Sequence, residues 1–134
     1  MVDTVVRYAV ALDRRDWALL DDVFADDAVA HYRTGTCHGR AEIVAMVRRH
    51  LGGCGPSQHL LGNHQVMVDG DSASSSCAAR VLHLGAGSRA ELVPFEVLGT
   101  YRDSLAKTAA GWRIRERSVT WDISRGDWDV LQPG

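Results

Sequence analysis

Apolar residues recur at three- and four-residue intervals in the first part of the chain and alternate along extended runs in the rest. Val2, Val6, Ala9 and Val10 keep the first spacing and predict an amphipathic helix that lays one stripe on a core. Asp13 falls on the same stripe. It either remains in the helix and turns inward, or begins a turn if the helix ends near Leu12. Asp16 ahead of Trp17-Ala18-Leu19-Leu20 is an N-cap signal for a second, short helix reaching about Phe24. Ala28 to Tyr32 predicts a short strand, and Gly35 and Gly39 bracket a turn. Ile43, Met46, Val47 and Leu51 predict a third helix closed by Gly52-Gly53.

After Pro56 the pattern changes to extended runs at 57–68, 72–84, 92–105 and 111–123, separated by segments carrying glycine or other turn formers. Helices therefore come first and a β-meander follows. Without βαβ alternation, the economical architecture is α+β: N-terminal helices packed on one face of a curved antiparallel β-sheet. The 134 residues, 46% of them hydrophobic, suit one domain spanning 1–134 with a core of its own.

Charge narrows the function. A net charge of -2, with no run of like charge, supplies no basic surface for nucleic acid or an anionic membrane, so neither is expected as a partner. The first seventeen residues mix charges among apolar positions and lack the continuous apolar centre of a signal peptide, and no stretch has the length of a membrane span. A cytoplasmic protein is expected. Cys37, Cys54 and Cys77 form an odd, widely spaced set that reads as reduced thiols. No P-loop, GxGxxG, GxSxG, HExxH or EF-hand pattern occurs, and the histidines show no metal-ligand spacing, so neither a cofactor nor a metal is expected.

Several residues fit poorly as pure structure. A carboxylate on an apolar stripe needs a hydrogen-bonding or charged neighbour, which applies to Asp13 if its helix continues. Between Ser57 and Val68, His59, Leu61, Asn63 and Met67 share one face and Leu60, His64, Val66 and Val68 the other. Both faces carry apolar residues, so alternation leaves open whether His59 or His64 points inward. His83 follows Cys77, Ala79 and Val81 on one face, where it either extends a small-residue surface with room for a ligand or meets solvent at the strand end. Tyr32 and Tyr101 each follow inward-type residues and fit core positions with satisfied hydroxyls.

ALDRRDW, SQHLLGNHQVMVDGD and GWRIRERSVTW, in that order over nearly the whole chain, resemble the SnoaL-like branch of the nuclear-transport-factor-2-like superfamily. The resemblance implies a cone-shaped α+β barrel, a small-molecule substrate, no cofactor, and pairing into a homodimer or homotrimer. Within the superfamily the site residues are most similar to those of scytalone dehydratases, with hexachlorocyclohexane dehydrochlorinases as second relatives. That likeness implies an Asp13–His59 acid-base dyad, His83 in Arg80-Val81-Leu82-His83 as a second catalytic histidine, and Tyr32 before Arg33 as the tyrosine that acts on the substrate carbonyl. Tyr8, Trp17 and Tyr101 are assigned to the substrate pocket. The pattern departs at Leu12, Gly99 and Tyr101, where the dehydratases carry other polar residues, so a different substrate is implied. The expected activity is dehydration by proton abstraction next to a carbonyl. A SnoaL-type cyclase or ketone isomerase stands as the alternative, and a non-catalytic binding domain as the alternative from another class.

Overall fold

The computed structural model describes residues 1–131. Helix α1 covers Val2–Arg14 and is followed by a 3₁₀ helix, Trp17–Asp22. Strands β1 (Phe24–Tyr32) and β2 (Gly35–His38) precede helix α2 (Arg40–Leu51). The chain then runs through β3 (Ser57–Asp69), β4 (Ser72–His83), β5 (Phe95–Thr108) and β6 (Gly111–Arg125), and ends in a 3₁₀ turn, Trp128–Leu131.

Helix α1 does not bury the stripe its spacing first suggests. Val2 and Val6 are exposed, whereas Thr4, Val5, Tyr8, Ala9, Ala11 and Leu12 are buried. Apolar residues occupy most sides of this helix, so period alone leaves its phase undetermined. The large surfaces of Tyr8 and Leu12 turn inward. The helix continues through Asp13 and stops at Arg15, which takes the left-handed conformation (φ 57°) while its backbone N–H donates to Leu12. The predicted second helix is a 3₁₀ segment, capped as expected by Asp16, whose side chain accepts from Leu19 N–H at 3.3 Å. Helix α2 has the predicted face, with Ile43, Val47 and Leu51 buried.

All six strands form one sheet in the order β2-β1-β6-β5-β4-β3. The four long runs lie where expected and pair as antiparallel neighbours. Two expectations need correction. The segment between Gly35 and Gly39 is a short strand, antiparallel to β1, and not a plain turn. The sheet is mixed, because β1 pairs with β6 in parallel: the helix and four strands between them return β6 in the direction of β1, a relation between distant segments that local periodicity does not carry. The curved sheet remains open between β2 and β3.

A bulge resolves the two-sided character of β3. Gly62 pairs with Ala78 but Gln65 with Ser76, so one extra residue intervenes, with Asn63 at φ 52°. Up to Leu61 the odd residues lean inward; beyond the bulge His64 and Val66 do. His59 and His64 thus lie on the same side of the sheet despite their opposite parity. Among the described residues, no helix is long and apolar enough to cross a membrane.

Candidate active site

The end of α1 brings Asp13 against the start of β3. His59 Nδ1 lies 2.6 Å from Asp13 Oδ1, and the His59 backbone N–H donates to Oδ2 at 2.8 Å. The Ser57 hydroxyl donates to Oδ1 at 3.0 Å. Three donors therefore converge on one carboxylate. Burial pushes the Asp13 carboxyl up, but the hydrogen bonds from the His59 side chain and backbone and from Ser57 outweigh it and hold the acid below its ordinary value. A carboxylate accepting at Nδ1 fixes the His59 proton there and leaves Nε2 as the basic nitrogen.

Arg15 locks this junction. Its guanidinium donates to the Ser57 hydroxyl at 2.8 Å, to the Gly55 carbonyl at 2.6 Å and to the Leu12 carbonyl. The helix terminus, the loop before β3 and the strand's first residue are tied by one side chain, which offsets the unfavourable left-handed backbone at Arg15. Neither Arg15 nor Ser57 is singled out by the sequence pattern. The only signal for Arg15 is the charged turn that follows Asp13, and Ser57 has none.

His59 faces a cavity of about 100 Å³ that Tyr8, Tyr32, His83 and Tyr101 also line. Space exists because Ala79 of β4 lies directly opposite Gly99 of β5, so two adjacent strands carry no bulky side chain at the centre of the floor. Gly99 is obligatory there, since an added Cβ would sit 2.0 Å from the Thr120 carbonyl oxygen. The far wall carries Trp121 and Trp128, which meet each other and Phe95 behind them in tilted and edge-to-face contacts at 5.4 to 5.7 Å between ring centroids. Trp17 is not among the lining residues, contrary to expectation. The turn at Arg15 separates it from the α1 face that reaches the cavity, and it packs half-buried against the core.

His83 is 5% exposed, with its ring 5.8 Å from that of His59. Its Nδ1 lies 3.0 Å from the Phe95 carbonyl oxygen, so Nδ1 carries the proton and Nε2 is an acceptor. Burial drives its pKa down from 6.5 to about 4, the bond to Phe95 opposing only in part. Unfolding therefore takes up a proton between those values, so the stabilisation is complete above pH 6.5 and declines as the pH falls towards 4. Urea unfolding is expected to show a loss of roughly 2–3 kcal/mol across that window, and His83→Phe to remove most of it. An unchanged slope in the variant would place the acid sensitivity elsewhere.

Three tyrosines stand over a buried ion pair. The Tyr8 and Tyr32 hydroxyls are 3.2 Å apart, and the Tyr8 and Tyr101 rings meet edge to face at 5.8 Å. The Arg117 guanidinium lies 4.3 Å from the Tyr8 centroid and 4.5 Å from that of Tyr101. It is held by Asp103 through two bonds of 2.7 and 2.8 Å. Burial pushes the tyrosine hydroxyls up, with the Arg117 cation opposing it, so they stay protonated as hydrogen-bond donors. Arg117 shares the inward face of β6 with Val119 and Trp121, an alternation visible in the sequence but carrying no hint of the ion pair.

Among the described residues, no group of three or more His, Cys, Asp or Glu side chains could hold a metal ion. The model of the SnoaL-like domain matches residues 1–118. The chain belongs to the SnoaL-like family. An uncharacterized protein of Mycobacterium tuberculosis is 36% identical over 118 residues, covering 87% of this chain and 79% of its own. Among solved structures, a Novosphingobium aromaticivorans protein that bears the name aromatic ring hydroxylase superposes with a TM-score of 0.85 at 24% identity, covering 97% of this chain and 92% of its own. A scytalone dehydratase-like protein of the same organism gives 0.82 at 17% identity, with 93% and 83% covered. The hexachlorocyclohexane dehydrochlorinase LinA-type3 of Novosphingobium barchaimii gives 0.80 at 14%, with 94% and 86% covered. At these identities the structural likenesses establish the SnoaL-like fold and leave the chemistry to the side chains.

Proposed function

We propose that the protein is a cofactor-independent lyase that removes water from a small β-hydroxy carbonyl compound. The observation that carries this reading is the 2.6 Å Asp13–His59 contact at the wall of a largely apolar cavity. His59 Nε2 takes the proton from the carbon next to the carbonyl, and the Asp13 carboxylate stabilises the imidazolium that forms. In the Tyr8–Tyr32 pair Tyr8 donates to Tyr32, whose own hydroxyl proton is then free to donate to the carbonyl oxygen as it gains enolate charge. The carbon–oxygen bond to the leaving hydroxyl then breaks as His59 returns its proton to that oxygen, and water departs.

His83 acts as an acceptor in this reading. Held neutral, its Nε2 accepts a hydrogen bond from the departing hydroxyl and orients it. Aldol-type ring closure and ketone isomerisation use the same enolate and the same residues, and differ only in what the cavity holds. The test is proton chemistry on a panel of cyclic β-hydroxy ketones in heavy water. Deuterium incorporation next to the carbonyl, followed by formation of the conjugated enone, is the expected result. Tight binding with neither exchange nor elimination would leave a ligand-holding domain.

A further inference from the structure

Resting on the reading of the cavity as a substrate site, we propose that Arg33 selects substrates bearing a carboxylate at the end remote from the reacting carbon. Arg33 directly follows Tyr32 in the turn between β1 and β2 and lines the cavity mouth together with Thr34. Its guanidinium lies 5.3 Å from the centroid of the Trp121 ring, so an exposed and otherwise mobile side chain has a platform. The other arginines near that strand are neutralised: Arg113, Arg115, Arg117 and Arg125 each hold a carboxylate. Arg33 makes no ion pair among the described residues.

The cavity contains nothing among the described residues that would compete for that cation. Its ionisable lining consists of Arg33, His50, His59, His83 and the tyrosines; no described carboxylate reaches it, because Asp13 stands behind His59 and Asp103 beneath Tyr8 and Tyr101. The sheet order sets the polarity of binding. His59 comes from β3 and Arg33 from the β1–β2 turn, and the ring contacts between them run from His59 through His83, Phe95 and Trp121 to Arg33, so the anionic group and the carbon that loses its proton lie at opposite ends of the ligand. A guanidinium held over an indole face keeps its N–H donors free for a carboxylate, which such a fork can bind with two parallel hydrogen bonds.

The test compares 2-naphthoate with its neutral analogue 2-naphthamide by titration calorimetry at low salt and about pH 8, where unperturbed imidazoles are neutral. The wild-type protein is expected to prefer the carboxylate by about ten-fold or more. Arg33→Gln should reduce that preference to within about two-fold, and Arg33→Lys should keep part of it. His50→Ala and His59→Ala should both retain it. Equal affinity of the two probes, binding of neither, or a preference that survives Arg33→Gln or disappears in His59→Ala overturns the proposal. The titration requires no turnover, so it stands or fails separately from the proton-exchange assay.

Discussion

Asp13→Asn is expected to lower turnover by about 10²–10⁴-fold while the protein keeps its fold. The carboxylate accepts from His59 Nδ1 and Ser57 on one oxygen and from the His59 backbone on the other. An amide has a single acceptor oxygen, so at least one of these donors faces an NH₂ group. If the introduced amide donates to Nδ1, the ring is held in the wrong tautomer with its proton on Nε2. If it accepts there, the imidazolium formed in the reaction lacks its counter-charge. Both arrangements disable the base. The check is the rate of deuterium exchange into a cyclic β-hydroxy ketone, with circular dichroism to confirm folding. Retention of activity within about ten-fold would remove the dyad from the mechanism.

Asp103→Leu is expected to destabilise the protein by about 3–5 kcal/mol in urea unfolding, because it leaves Arg117 as a buried charge without its counter-ion. The two side chains, Arg117 and Asp103, are 0% and 1% exposed, so no water takes over from the carboxylate. The rings of Tyr8 and Tyr101 soften this loss without replacing two charge-assisted bonds. The double variant Asp103→Leu with Arg117→Met is expected to recover most of the stability, since matched apolar residues need no partner in the core. A single variant as stable as the wild type would show that Arg117 is solvated or re-paired in solution.

The sequence speaks clearly where one face of a strand is buried and one is wet. Cys77, Ala79, Val81 and His83 alternate with exposed neighbours, and their shared inward face is the floor of the cavity. It speaks poorly where both sides are apolar, which is why α1 has an ambiguous phase and why alternation cannot choose between His59 and His64. The bulge at Asn63 removes that choice by putting both histidines on one side through a left-handed residue, which an apolar count does not register. Strand β2 is four residues long with only Cys37 buried, too little pattern to separate it from a turn. The direction of β1 against β6 and the Arg117–Asp103 pair are facts about distant segments meeting. The aromatic assignments divide on the same ground: Tyr8 and Tyr101 sit on regular elements that face the cavity, whereas Trp17 follows a turn whose direction the chain does not spell out.

The parallel pairing of β1 with β6 also bears on the order of assembly. The three meander hairpins close short loops, but Phe24 meets Ile114 across about ninety residues, and loop-closure entropy places such a contact after local ones. Strand β1 ends at Tyr32, and Arg33 follows it in the turn. A chain with its meander formed already has His59 and His83 side by side on adjacent strands, yet lacks Tyr32 and Arg33 at the cavity. The cavity is thus completed by the last strand to dock, and on the proposed mechanism conditions that detach β1 would silence it while most of the sheet stays paired.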